Sequence, residues 1–365
     1  MNYRLPLAGI AFVCALFSCS STPGGAADSP ASGRAEWAIA IHGGAGVISK
    51  DGNPDEIAAA KQGLREALSI GREMLRRGES ALDTVEAVVV ALENNPAFNA
   101  GYGAVYTAEG KHELDSSIMS GADLGCGGVT GVVTVKNPIR LARRVMEGSP
   151  HVLFGGQGAE AFADTHPDIE RVQNSSFDTE RRRKSLERWL EEKGLELPAH
   201  LVPAPEPELE TEAEAEGSTP VYVQAADVNQ WKSTVGCVVL DKEGNLAAGT
   251  STGGMTGKRF GRIGDSPLIG AGTYANNDTC AVSCTGTGEE YIRHGVARDI
   301  ADRMRYSGKT AQAAAEAVVF EVLQPGDGGV IVVGRDGSIA LVFNTLGMFR
   351  GAANSEGRFD IGIWE

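Results

Sequence analysis

The stretch that most limits the fold is Ser-Thr-Val-Gly-Cys-Val-Val-Leu-Asp, Ser233 to Asp241. In a strand, Val235, Cys237 and Val239 lie on one face and Val238 and Leu240 on the other. A strand apolar on both faces must be covered on both, so this one belongs inside a layered core. The chain before it is the opposite. From about Gly194 to Lys232 no periodicity survives. Pro198, Pro203, Pro205, Pro207 and Pro220 punctuate the segment, and Glu206, Glu208, Glu210, Glu212, Glu214 and Glu216 stand in a stretch without a basic residue. Such a composition does not bury enough apolar surface to order itself. A structureless segment of that length inside a compact domain needs a functional reason. Thr234 sits where the two regimes meet.

The rest of the chain supplies the covering layers. Trp37 to Ile41 reads as a short strand, and His42-Gly43-Gly44-Ala45-Gly46 as a turn after it. That glycine spacing is neither a Walker loop nor a dinucleotide fingerprint, and His42 reads as a hydrogen-bonded core histidine rather than a ligand. Ile57, Leu64, Leu68 and Leu75 recur at helical spacing between Pro54 and Gly78. Leu82, Val85, Val88, Val89 and Leu92 do so within Ser80 to Asn94. Strands are predicted at residues 104–107, 112–119 and 128–135, and helices from Pro138 to about Glu147, over 155–164 and over 178–191. After Thr234 come strands at 235–240 and 246–252, joined by the turn-rich residues 241–245, and a strand at 281–284. A capping box, Thr287-Gly288-Glu289-Glu290, opens a helix to about Tyr306. A helix over 309–323 and a hairpin of 329–333 with 338–343 close the chain. Doubly buried strands with helix pairs before and after them predict an α+β fold, a four-layer αββα sandwich.

With 42% hydrophobic and 22% charged residues, the 365-residue chain has the composition of a globular protein. Its net charge of −15 excludes a basic nucleic-acid-binding surface. Arg4 followed by the apolar run Leu5 to Phe17 reads as a signal segment. Leu16-Phe17-Ser18-Cys19 resembles a bacterial lipobox, with Cys19 as the lipidated residue; cleavage near Ala26-Ala27 is the alternative. Residues 1–19 are then a leader and 20–35 a tether, for a protein exported from a bacterial cytoplasm and periplasmic or membrane-anchored through lipid. Cys126, Cys237, Cys280 and Cys284 match no zinc spacing. Cys280 and Cys284, roughly 13 Å apart on one strand, are too distant for a disulfide with each other.

A threonine hydroxyl is a weak nucleophile and needs a base. The α-amine of an N-terminal threonine, with a pKa of about 7.7–8.0, can serve. In isolation Thr234 reads as a strand opener. Its surroundings add partners. Thr250 and Thr252 share a face of the neighbouring strand, and one of them can bond to it. In Gly261-Arg262-Ile263-Gly264-Asp265-Ser266-Pro267, an arginine fork suits a carboxylate and an aspartate suits an ammonium; a surface ion pair is the plainer reading. Thr285-Gly286-Thr287-Gly288, between a buried strand and a helix, can present a hydroxyl and backbone N–H groups to an oxyanion.

In order along the chain, these motifs resemble the plant-type L-asparaginases and isoaspartyl peptidases, N-terminal-nucleophile hydrolases. The resemblance rests on Ile41 to Gly46, Phe98-Asn99-Ala100-Gly101, Thr234-Val235-Gly236, Thr250 to Thr256, Gly261 to Pro267, Gly270 to Asn277 and Ser283 to Glu289, and covers about Trp37 to Phe349. It implies a single catalytic domain over 36–365, self-cleaved between Ser233 and Thr234 into chains 36–233, carrying the flexible linker 194–232, and 234–365, and assembled as a homodimer of αβ units. It implies Thr234 as nucleophile, Thr252 bonded to it, Asn99 helping to position it, and Thr285 and Gly286 as the oxyanion hole. Arg262 and Asp265 would hold the substrate's α-carboxylate and α-amine, with Gly288 backbone lining the pocket. The substrate is asparagine or a short β-aspartyl peptide. No cofactor is implied for catalysis. Backbone carbonyls of Leu92, Glu93, Asn95, Phe98, Ala100 and Tyr102 would hold a structural sodium ion. Ser233 departs from the glycine usual before the nucleophile. A glycosylasparaginase is the alternative, disfavoured because Asp-Thr-Ile-Gly is usual at its cut. A lipoprotein that binds ligands without turnover is a reading of a different class.

Overall fold

The computed structural model describes residues 35–202, 231–232 and 234–365. The predicted leader with Cys19, nearly all of the tether, most of the acidic segment and Ser233 lie outside the described residues. Arg34–Glu365 is one compact unit. Its strands are β1 (Ala38–Gly46), β2 (Leu114–Ser120), β3 (Cys126–Val132), β4 (Leu153–Gly155), β5 (Trp231–Lys232), β6 (Val235–Leu240), β7 (Leu246–Thr252), β8 (Thr273–Ala275), β9 (Cys280–Gly286), β10 (Gly328–Gly334), β11 (Ile339–Phe343), β12 (Gly347–Asn354) and β13 (Phe359–Gly362). Its helices are α1 (Pro54–Arg77), α2 (Ala81–Glu93), α3 (Pro138–Gly148), α4 (Gly156–Asp164), α5 (Glu180–Glu192), α6 (Gly288–His294), α7 (Val296–Ser307) and α8 (Ala311–Glu321).

The doubly apolar strand lies where its pattern demands. In the larger sheet the order is β13-β12-β1-β6-β7-β2-β3-β4, with β5 paired to β1. β6 runs antiparallel to both β1 and β7. Val235, Cys237 and Val239 join Ile39, Ile41, Leu64, Leu68, Val85 and Val88 in one core. Val238 and Leu240 join Val282, Cys284, Val330 and Val332 in another. The first core lies where α1, α2 and α3 meet this sheet. The second spans the contact with the smaller sheet, β11-β10-β9-β8, on which α7 and α8 pack. Each apolar side chain of β6 is essentially fully buried, which contributes about 1.5–3 kcal/mol per Val or Leu.

Helix ends follow local chemistry. Asn53 caps α1 by accepting from the Asp55 and Glu56 amides, with Pro54 in the first turn. The Glu93 carboxylate, at the end of α2, accepts from the Ile139 amide (3.1 Å) at the start of α3, and from Asn137 (3.0 Å) and Ser251 (2.7 Å). It thus ties two helices to β7.

Several expectations are corrected. Residues 42–46 form no turn: β1 continues through them to pair with β12, with an irregularity between His42 and Gly44. Residues 104–107 are not a strand; Thr107 makes one isolated bridge to Lys258. The helix expected from Thr287 to Tyr306 breaks at Gly295, whose φ of +57° ends α6 and starts α7. Its capping box does not form. Thr287 makes no side-chain capping bond, and Glu289 and Glu290 pair with Arg262 and Arg293 instead. Residues 199–201, in a stretch expected to lack structure, form a short 3-10 turn, and Leu201 packs against the cluster of Tyr106, Leu186 and Leu190. The four described cysteines are unpaired; Cys237, Cys280 and Cys284 are buried, and burial pushes their thiols up.

At Gly236, β6 passes close to the smaller sheet. A Cβ there would stand 2.0 Å from Ser283 Oγ and 2.4 Å from His42 Nε2. Gly236→Ala is therefore expected to lower stability by about 1–3 kcal/mol, read as a fall in the urea midpoint. A midpoint equal to the parent's would show that the two sheets tolerate the methyl group.

Candidate active site

Thr234 lies just before β6 and is 8% exposed. The β6–β7 register sets Val235 opposite Ser251 and Gly236 opposite Thr250. One step further on, Thr234 Oγ1 donates to Thr252 Oγ1 at 3.1 Å. Thr252 Oγ1 also accepts from the Gly254 amide at 3.0 Å. Asn99 fixes that turn: its Nδ2 donates to the Gly254 carbonyl (2.7 Å), its Oδ1 accepts from the Val105 amide (2.8 Å), and its carbonyl accepts from the Gly253 amide (3.1 Å). Asn99 thus reaches Thr234 through the turn after Thr252.

The Thr234 carbonyl lies 2.9 Å from His42 Nδ1. A carbonyl only accepts, so Nδ1 carries the proton. Burial drives the His42 pKa down to about 3, so the ring is neutral and Nε2 accepts from Ser283 Oγ at 2.9 Å. With the Ser283 proton committed to His42, Thr250 Oγ1 must donate to Ser283 Oγ (2.7 Å), and Thr273 Oγ1 to Thr250 Oγ1 (2.6 Å). Ser117 Oγ, 2.8 Å from Thr273 Oγ1 and 2.6 Å from the Ser266 carbonyl, ends the chain. All five side chains are buried. His42 is the hydrogen-bonded core histidine its sequence context suggests. The rest of this seam comes from four other strands, β9, β7, β8 and β2, and no local spacing announces it.

Thr234 and Thr252 open onto a cavity of about 260 Å³, also lined by Arg262, Asp265, Gly286 and Gly288. Asp265 is 4% exposed, and its Oδ2 has no hydrogen-bond partner. Desolvation raises its pKa to about 7 against the pull of Arg262. Arg262 does make an ion pair, as the plainer reading has it, with half-exposed Glu289. Its Nε and Nη2 donate to the two carboxylate oxygens of Glu289 at 2.9 and 2.8 Å. Gly288 is packed against this group: a Cβ would stand 2.9 Å from Arg262 Nη2 and 3.0 Å from Asp265 Oδ1. Gly286 faces the cavity, while Thr285 stands behind it, its Oγ1 accepting from the Ala45 amide at 3.2 Å.

In the loop after α2, the Tyr102 amide donates to the Glu93 carbonyl at 2.8 Å. A Cβ on Gly101 would stand 2.5 Å from the Glu93 carbonyl, and one on Gly103 2.8 Å from that of Phe98. Carbonyl oxygens crowd this loop, a donor set suited to a hard cation. Among the described residues no three His, Cys, Asp or Glu side chains converge as a metal-ligating group.

Two parts of the site were not read from the sequence. Glu289 lies beside Glu290 inside the expected capping box, and nothing local announces its pairing with Arg262. The face of α5 that carries Arg188 and Trp189 also lines the cavity; its spacing was visible, but nothing local connects it to Thr234.

Residues 35–363 match the family model described as Asparaginase. The chain belongs to the asparaginase family. It is 47% identical to the isoaspartyl peptidase of Escherichia coli over 320 residues, 86% of this chain and 91% of that protein. It is 42% identical to the probable isoaspartyl peptidase/L-asparaginase 2 of Arabidopsis thaliana over 90% of this chain and 99% of the relative. With the human isoaspartyl peptidase/L-asparaginase the identity is 39%, over 89% of this chain and 95% of the relative. These matches correct the expected location. They take in nearly all of each relative, and the asparaginase model begins only at residue 35, so none of them supports a periplasmic or lipid-anchored protein. No helix among the described residues is long and apolar enough to cross a membrane. The export and lipid-anchor expectation is withdrawn.

The raised pKa of Asp265 has a signed consequence for stability. Its ordinary pKa is about 3.9, so between roughly pH 4 and 7 the folded chain holds a proton that the unfolded chain has released. The associated stability is fully present below about pH 4 and is lost as pH rises through 7. Asp265→Asn is expected to flatten that fall and to be more stable than the parent at pH 8, by on the order of 3 kcal/mol. Glu93, also raised to about 7 by burial, and Asp115, raised as well, keep their share of the slope. Urea unfolding at pH 5 and pH 8 reads the difference; identical slopes in the two proteins would place the Asp265 pKa near its ordinary value.

Proposed function

We propose that this chain is an amidohydrolase that cuts itself before Thr234, then hydrolyses L-asparagine to L-aspartate and ammonia and releases N-terminal β-aspartyl residues from peptides. The observation that carries this reading is the company Thr234 keeps: one cavity holds its hydroxyl, an arginine fork and a buried carboxylate oxygen without a partner. The names of the relatives point the same way.

Activation begins when Thr234 Oγ attacks the Ser233 carbonyl. An ester bond to Oγ forms, the peptide C–N bond breaks, and the Thr234 nitrogen leaves as an amine. Water then hydrolyses the ester, leaving a Ser233 carboxylate and a free Thr234. The products are a chain ending at Ser233 and a chain of residues 234–365. In turnover the new α-amine takes the proton from Oγ1, while Thr252 holds the hydroxyl in line. The substrate's ammonium meets Asp265 Oδ2, and this partner favours the ionised carboxylate that burial opposes. The substrate's α-carboxylate meets Arg262, whose Nε and Nη2 Glu289 holds in plane. Gly286, with Thr285 behind it, faces the developing oxyanion, and Gly288 gives the clamp room. Ammonia or a peptide amine leaves with the transferred proton. Water then attacks the acyl-threonine and frees aspartate.

The same reading covers the architecture. Helices on the larger sheet, the two facing sheets, and helices on the smaller one make a four-layer αββα sandwich. The carbonyls of Leu92, Glu93, Asn95, Phe98, Ala100 and Tyr102 would hold a sodium ion whose part is to stiffen the loop carrying Asn99. Two αβ units assemble as a homodimer.

Thr234→Ala is expected to purify as one uncut chain with no release of ammonia from asparagine. Thr234→Ser should retain some cleavage and some turnover, and Thr252→Ala should cut kcat by 10-fold or more. Intact-mass spectrometry should find the parent in two fragments, the smaller beginning at Thr234. An uncut parent that still releases ammonia would defeat the mechanism.

A further inference from the structure

The cavity has a wall that asparagine does not need. On α5, Arg182, Leu186 and Leu190 face inward and are buried. Ser185, Arg188, Trp189 and Glu192, spaced i, i+3, i+4 and i+7, line the cavity with Thr234. Four residues at that spacing make one continuous helix face. Trp189 is fixed: the Arg259 guanidinium lies 5.6 Å from its ring centre, and a Cβ on Gly257 would stand 2.4 Å from the ring. Arg188 is solvent-exposed, with Nε 3.3 Å from the Lys184 carbonyl. Met255 also lines the cavity and is half exposed.

The chemistry distinguishes what two substrates leave behind. The nitrogen leaving asparagine carries only hydrogens. The nitrogen leaving a β-aspartyl dipeptide carries a second residue, with a side chain and a free carboxylate. Arg262 and Asp265 are committed to the aspartyl half, so the second residue must enter the part of the cavity they leave open. We propose that the α5 face is the leaving-residue subsite for β-aspartyl dipeptides. Arg188 pairs with the carboxylate of the second residue, and Trp189 with Met255 takes an apolar side chain. Glu192 on the same face disfavours an acidic one. The proposal rests on the reading of Thr234 as nucleophile.

The test measures kcat/KM of the purified full chain on L-asparagine, β-aspartyl-leucine and β-aspartyl-leucine amide. Arg188→Ala is expected to lower the ratio of dipeptide to asparagine kcat/KM about fivefold, the scale of a partly solvated ion pair, mainly through KM. The parent should prefer the dipeptide to its amide by a similar factor, and Arg188→Ala should lose that preference. Arg188→Lys should recover part of it. A ratio within twofold of the parent's, or an amide preference that survives in Arg188→Ala, overturns the subsite while leaving the nucleophile assignment intact. A parent that turns over neither substrate overturns that assignment and the subsite with it.

Discussion

The structure depends on a buried polar seam between its two sheets, anchored where His42 on β1 accepts from Ser283 Oγ on β9 through Nε2 and donates through Nδ1 to the Thr234 carbonyl. Sheets facing each other are ordinarily held apart by apolar side chains. Here His42, Ser283, Thr250, Thr273 and Ser117 form a polar seam, and each is buried. A buried polar group without a partner costs about 1–3 kcal/mol, so such a seam persists only when each member is satisfied. One proton direction does this, running from Thr273 through Thr250 and Ser283 to His42 and ending on Thr234. The low pKa of His42 serves it: a charged ring would turn Nε2 into a donor facing the Ser283 hydroxyl, whose proton would then need another acceptor. Gly236 completes the contact by giving both groups room.

Against this satisfied seam, the clamp is unfinished. Asp265 Oδ2 is buried and lacks a partner, while Arg262 is paired edge-on with Glu289. In the proposed site Asp265 would take a cation and Arg262 an anion. A ligand carrying an ammonium beside a carboxylate satisfies both at once, and an ammonium next to Asp265 lowers the pKa that burial raises. Ligand affinity and the protonation of Asp265 are therefore linked through one carboxyl group.

Much of this was legible in the sequence because it is local. The alternation of Val235, Cys237, Val239 against Val238 and Leu240 announced a strand between two cores, and both cores are there. The same periodicity narrows the partner of Thr234 to Thr250 or Thr252, and the chemistry of one loop singles out Arg262 and Asp265. What was not legible is either non-local or weakly patterned. β12, Gly-Met-Phe-Arg-Gly-Ala-Ala-Asn, has too many small residues to show an alternating face and is a strand because β1 pairs with it. The same pairing turns the glycine-rich residues 42–46 from an expected turn into strand. Glu289 carries no local signal of its own, and only the placement of Arg262 gives it a partner. The α5 wall lies far from Thr234 in sequence, separated by the segment least able to announce a contact.

The anchors of Thr234 also bear on the proposed cut beside it. Its carbonyl is held by His42, its hydroxyl by Thr252, and its successor Val235 by the β6–β7 ladder. Each of these acts on the side chain or on the C-terminal side of the Thr234 Cα. A break in the peptide bond on the N-terminal side removes none of them. In the proposed cleavage the hydroxyl would be fixed by the same contacts before and after, and only the nitrogen would change, from an amide to an amine. Positioning of that kind, made before the reaction and not spent by it, is where effective catalysis begins. The chain on the N-terminal side has its own tether, since Trp231 and Lys232 pair with β1, so neither side of the peptide bond before Thr234 depends on the other for its place.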